Sequence, residues 1–275
     1  MSAQFGGDQY IAGQKEPVID MPTRFVDFMR VLVPMAGDDT TPEGEQVNIY
    51  GNHVGSWNFA ATAYLNQWKV KIYYEHYFDD HSQMFFQYGR WKDGHIGLEI
   101  TFPKNRFIDT FVYEGLGTKD QTGPMLYDSF WGEFEEQISA KDNYYNHYLY
   151  QGWQHWGMGI GNPLLPGPIY NKNGQITFIS NRVLAHHIGF CGSPCQSLSY
   201  RMLLSYSRHW GTYDNPLNEI KKQFNSLFEV TYAPQQLKGW SFTVSGAMDR
   251  GSMLGNNYGG MLVIRKQGII KSGNK

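Results

Sequence analysis

Three groups of side chains in this chain are of types that do chemistry. The first is Tyr144, Tyr145, Trp153, His155 and Trp156, interleaved with Asn143, Asn146 and Gln154. Aromatic rings offer flat apolar faces to the C–H side of a sugar, while amides and charges take its hydroxyls. Binding sites in general combine apolar surface with a few oriented polar groups in this way. The same residues would serve equally to pack a long loop as a plug, so binding and structuring both stay open. The second group is Glu133, Glu135 and Glu136, which follow Trp131. A pair of carboxylates hydrolyses glycosides when its spacing is right. Sequence does not supply that spacing, and a solvated acidic turn is the plainer reading.

The third group is the histidines and cysteines. His186 and His187 are adjacent in a segment with strand character, so they point to opposite faces and do not share one metal ion. His76, His81, His147 and His155 lack tight ligand spacing, and no metal or cofactor is expected. Cys191 and Cys195 are too few for a disulfide scaffold and lack the second pair of a zinc site. They read as two thiols flanking a turn, bridged or free. No P-loop, dinucleotide fingerprint or nucleophile elbow occurs, and Gly157, Gly159 and Gly161 lack the helix that would make them a phosphate loop.

Something must position these residues, and the composition narrows what. Lys and Arg number 23 against 25 Asp and Glu, which argues against a nucleic-acid binder or a polybasic membrane-surface protein. Charged residues are 17% of the chain, aromatics 16%, and there are 31 glycines, while mean hydropathy is −0.48. A helical membrane protein needs runs of ~18 or more apolar residues, and none is present. Both a transmembrane β-barrel, in which only alternate residues face lipid, and a secreted β-sandwich fit this composition.

Alternation of apolar and polar residues dominates from residue 55 onward. Trp68, Val70, Ile72, Tyr74 and His76 share one side of a strand, and Lys69, Lys71, Tyr73 and Glu75 the other. The same pattern predicts nine strands, near 55–66, 68–78, 95–103, 107–116, 176–190, 197–209, 222–233, 239–249 and 258–270. Most are long enough to cross a bilayer as tilted β, for which ~9–11 residues are needed. Short turns at 66–67, 103–106, 191–196 and 234–238 alternate with long loops at 79–94, 117–175, 210–221 and 250–257, as in outer-membrane barrels. Before the strands, Phe25, Phe28, Met29 and Leu32 form one apolar stripe within a predicted helix at 21–33, expected to pack on the fold. The expected organisation is a single β domain over 1–275, with a helix-and-loop lead-in at 1–44 and a meander of strands at 45–270.

Bacterial single-chain barrels usually close with an even number of strands. Nine strands therefore imply either a tenth near 46–51 or a further N-terminal half, and the second is the expectation. The N-terminus, without a basic region or apolar core, does not read as a signal peptide.

Several runs are specific enough to compare with a family. They are Asp142 to His147, Gly152 to Leu165, Pro168 to Asn171, Ser180 to Arg182, Ala185 to His187, Ser205 to Tyr213, Leu237 to Phe242, Asp249 to Gly251 and Gly259 to Leu262. Upstream, Gly51 to Trp57 and Tyr74 to Ser82 join them. Together these resemble the C-terminal half of Wzi-type capsule-assembly outer-membrane proteins, from about residue 45 onward. The resemblance implies half of an 18-stranded transmembrane β-barrel with long extracellular loops. It also implies a lectin-like, non-enzymatic role in holding capsular or related polysaccharide at the surface of the bacterial outer membrane. The implied partners are surface polysaccharide, outer-membrane lipid and the other half of the barrel, with no nucleic acid. On this reading the candidate glycan contacts are Tyr144, Tyr145, Trp153, His155, Trp156, Arg208 and Trp210. A glycan-processing enzyme using the loop carboxylates and a passive porin are the alternatives.

Overall fold

Because side chains on a strand alternate between faces, alternating strands share a sheet only in registers that bring their apolar sides together. The structure, a computed structural model, describes residues 1–8, 15–42, 45–46, 49–79, 84, 93–105, 107–124, 139–141, 143–147, 149–150 and 152–268. In chain order the first elements are β1 (Ser2–Gln4), α1 (Phe25–Leu32), β2 (Asn52–Leu65), β3 (Trp68–Asp79), β4 (Gly94–Thr101) and β5 (Thr110–Gly117). Two small hairpins follow, β6 (Thr122–Pro124) with β7 (Ser139–Lys141), and β8 (Gln154–His155) with β9 (Met158–Gly159). The chain ends in five long strands, β10 (Val183–Cys195), β11 (Leu198–Gly211), β12 (Pro216–Tyr232), β13 (Trp240–Gly251) and β14 (Asn257–Lys266).

One antiparallel sheet takes ten of these, in the order β1-β2-β3-β4-β5-β10-β11-β12-β13-β14. It is a meander interrupted once, where residues 118–182 are inserted between the neighbours β5 and β10. Among the described residues the sheet stays open. β14 pairs with β13 alone, and the far edge of β2 meets β1 over Val54, His53 and Asn52.

All nine predicted strands are present, with three corrections. The tenth strand is β1; near 46–51 the described residues supply only an isolated bridge from Ile49 to Ala36. Gly51, at φ +86°, lets the β1 backbone come close; a Cβ there would sit 2.6 Å from the Gln4 carbonyl oxygen. β10 begins at Val183, not at residue 176, and runs on through Cys191 to Cys195, leaving a two-residue turn, and both thiols are free. β12 begins at Pro216, because the ladder resumes beyond an irregularity at Gly211, which pairs with Pro216. Sequence alternation fades there, so the predicted loop at 210–221 shrinks to residues 212–215. The connections are therefore 14, 65, 4 and 5 residues at one end of the sheet and 2, 8, 2 and 7 at the other. The two long ones share an end, but the strict alternation of short and long does not hold.

The helix also differs from expectation. Its stripe points outward, with Phe25 78% exposed and Phe28 and Leu32 exposed as well, while Asp27 and Val31 are buried. Asp27 sets this orientation. Its carboxylate accepts from the Arg24 backbone N–H at 2.9 Å, the Arg24 side chain at 2.9 Å and Arg30 Nη1 at 3.0 Å. A carboxylate so engaged is cheaper to bury than a free one. Val31 then packs with Met21, Tyr50 and Leu149.

The registers divide the sheet into two faces. One carries Phe59, Ile72, Leu98, Tyr113, Ile188, Leu204, Phe228, Val244 and Leu262, and many of its side chains are exposed. From β3 to β14 the paired positions on this face hold no Asp or Glu. The opposite face carries Glu75, His95, Glu114, His187, Ser205, Asn225 and Asp249. A buried cluster of Tyr145, Trp153, Leu165, Phe178, Val183 and Ala185 sits where residues of the insertion fold back onto that polar face.

Candidate functional site

The insertion is held down by side chains that cap its backbone. Asn146 clasps Phe178 twice, its amide nitrogen donating to the Phe178 carbonyl at 2.9 Å and its oxygen accepting the Phe178 N–H at 2.8 Å. Asn181 donates to the side chain of Asn143 at 2.6 Å and to the Tyr144 carbonyl at 2.8 Å. Asp93, just before β4, accepts from the backbone N–H of Asp120 at 2.9 Å and from the Tyr144 hydroxyl at 3.2 Å. Burial pushes the Asp93 carboxyl up, and those donors pull against the shift. Tyr145, in the left-handed region at φ +70°, is fixed by its N–H donating to Asp79 at 2.7 Å. Its phenol is pushed up to about 12, chiefly by burial.

Between the insertion and the polar face lies a cavity of about 1010 Å³. Its floor includes Glu75, His95, Glu114, His187, Ser205 and Asn225, and its roof includes Tyr145, Trp153 and Asn162. Ser56 on β2 and Asn225 on β12 line the same cavity although six strand-to-strand steps separate them. Six steps at ~4.8 Å would span nearly 30 Å on a flat sheet, so the sheet curls around the cavity.

The floor is a continuous row of hydrogen-bonding groups. Glu114, His187, Ser205, Asn225 and Asp249 are successive register partners on five adjacent strands. His187 Nδ1 is 2.7 Å from Ser205 Oγ, and Asn225 donates to Asp249 at 2.7 Å. His95 stands between two carboxylates, 3.6 Å from Glu75 and 3.4 Å from Glu114. Ser56 donates to Glu75 at 2.6 Å, and the Tyr73 hydroxyl donates to Glu114. His209 Nδ1 and Trp153 Nε1 are buried in the cavity wall without a hydrogen-bond partner among the described residues. A smaller cavity of about 320 Å³, lined by Val112, Cys191, Arg201 and Leu203, adjoins the first through Glu114, His187 and Ser205. Carboxylates, imidazoles, hydroxyls and amides in one curved trough suit a polyhydroxylated ligand, with the aromatic residues of the roof on its other side.

The residues singled out from sequence fall in three places. Tyr144, Tyr145 and Trp153 are buried, and Tyr145 and Trp153 form part of the cluster that seats the insertion, which is the plug role left open by the sequence. His155 and Trp156 lie at the tip of the β8–β9 hairpin. There Trp156 and Gly157, both at positive φ, make a two-residue turn that leaves Trp156 85% exposed. Arg208 and Trp210 are on the apolar face of β11, where Arg208 and Lys119 stand 5.3 and 5.0 Å from the Trp210 ring. Glu133, Glu135 and Glu136 lie outside the described residues. Of the trough residues, sequence considers only His187, and that as a metal ligand; Glu75, His95, Glu114, Ser205 and Asn225 are not among its candidates. Their signal was the polar half of each alternating strand, but register was needed to align them.

Comparison with family models, with curated protein sequences and with solved structures finds no match to this chain.

Proposed function

We propose that the chain is part of an outer-membrane β-barrel that holds surface polysaccharide without turning it over, as its Wzi-type resemblance implies. The observation that carries this reading is the division of one curled sheet into an exposed apolar face and a polar trough. Soluble monomers rarely expose contiguous apolar patches beyond a few hundred Å². Hydrocarbon accepts such a face when strand-to-strand ladders satisfy the backbone. Strands of 8 to 17 residues are of the right order for the crossing. The open edges at β2 and β14 call for further strands, and nine long strands are half of eighteen. On this reading the end with the 14- and 65-residue connections is extracellular, and the trough faces the lumen.

The test is retention of capsular polysaccharide from the producing cell by protein extracted from membranes. Replacing Glu75 and Glu114 together by Gln is expected to weaken binding at least tenfold, with a smaller loss for Trp156→Ala. Failure of the unsubstituted protein to bind any surface glycan of its own cell would overturn the reading.

A further inference from the structure

The cations on the apolar face are placed unevenly. Over β10 to β14 they are Arg208, Lys222 and Arg250 toward the end with the long connections, and Lys266 alone at the other. Arg208 and Lys222 are direct register partners on β11 and β12. Arg250 on β13 pairs with Phe224, two residues along from Lys222, and so is its diagonal neighbour. Such neighbours lie within roughly 5 to 8 Å of one another. None of the three has a carboxylate partner among the described residues. Arg208 is further braced against the Trp210 ring, which also carries Lys119. Below them the same face continues as Tyr206, Phe224, Phe228 and Val244.

Unpaired cations beside an apolar wall repel one another unless an anion joins them. A ligand that suits both parts carries phosphate at its head and acyl chains below it. Guanidinium groups bind phosphate through paired N–H donors, with Lys as a point charge. Resting on the outer-membrane reading, we propose that Arg208, Lys222 and Arg250 clamp the phosphates of a phosphorylated glycolipid of the outer leaflet. Trp210 marks the level of its headgroup, and its chains lie along β11 to β13. Three cations on three strands fit a headgroup with more than one phosphate better than a phospholipid with one.

The experiment uses the full chain extracted from membranes and a bis-phosphorylated glucosamine lipid, with binding read in detergent by native mass spectrometry. Changing Arg208, Lys222 and Arg250 together to Gln is expected to weaken binding at least tenfold, while Lys266→Gln leaves it unchanged. The dephosphorylated lipid should bind no better to the original protein than the phosphorylated lipid binds to the triple variant. Binding should also weaken with ionic strength. Unchanged lipid binding by the triple variant, with its circular dichroism unaltered, would overturn the site and leave the membrane reading standing. Equal occupancy by inorganic phosphate at the same concentration would overturn the lipid assignment. Absence of the unsubstituted chain from membranes even when further barrel strands are supplied would overturn both readings together.

Discussion

Gly97 and Asp27 show how single residues set the geometry around them. A methyl at Gly97 would overlap the Tyr73 ring, which lies across that glycine and donates to Glu114. Gly97→Ala is expected to push the ring aside, costing about 1–3 kcal/mol as overpacking does. Glu114 would lose its phenol donor, and the measurable result is a lower melting temperature together with, on the proposed function, weaker polysaccharide binding. Asp27 bears on pH. The hydrogen bond from Arg24, above all, holds its carboxyl below the usual range. Because the folded value lies below the unfolded one, ionised Asp27 stabilises α1 above about pH 4, and the contribution fades as pH falls through and below that range. Asp27→Asn should cost about 2 kcal/mol at neutral pH. It should also flatten the acid dependence of protease cleavage around residues 25–32. An unaltered acid profile in the variant would sink this account.

The insertion, at the scale of an element, depends on a few capped turns. Asn146→Ala removes both bonds to Phe178, and about 2–3 kcal/mol of local stability should go with them. Limited proteolysis should then cut within residues 143–182 while the sheet stays resistant. Loss of the sheet at the same protease concentration would mean that the two are one cooperative unit. Strand identity was legible in the sequence because period-two alternation records directly which side is apolar. The start of β12 was not, since Asn218 and Glu219 break the alternation while the backbone still pairs. The helix stripe was legible but its direction was not. Periodicity finds an apolar side, whereas the Arg24–Asp27–Arg30 contacts decide which side faces the protein. The trough was half legible: each strand showed its polar side, but a row across five strands exists only once register is known.

For the whole molecule the open edges decide behaviour. Among the described residues, nearly all of β2 beyond Val54 and one side of β14 present unpaired backbone groups, which hydrocarbon does not tolerate. Exported with a borrowed signal peptide, the chain alone is expected to aggregate or to pair with further copies. On the proposed outer-membrane reading, it should give a heat-modifiable outer-membrane band at its own monomer mass only when supplied with additional strands. A monomeric heat-modifiable band from the chain alone would mean that the sheet closes on itself.

The insertion between β5 and β10 also bears on the order of assembly. Within each meander, neighbours meet across connections of 2 to 14 residues, whereas Leu116 reaches Ala185 only by closing the 65 residues between their strands. Closing that loop costs on the order of 3 kcal/mol more in chain entropy than closing a two-residue turn. The β2–β5 and β10–β14 ribbons can therefore zip independently and early, and the seam between them closes late. The Tyr145, Trp153 and Phe178 cluster then acts as its buckle, packing against Val54 and Leu116 from the first ribbon and Val183 and Ala185 from the second. The segment that roofs the cavity is thus also what makes two ribbons into one wall.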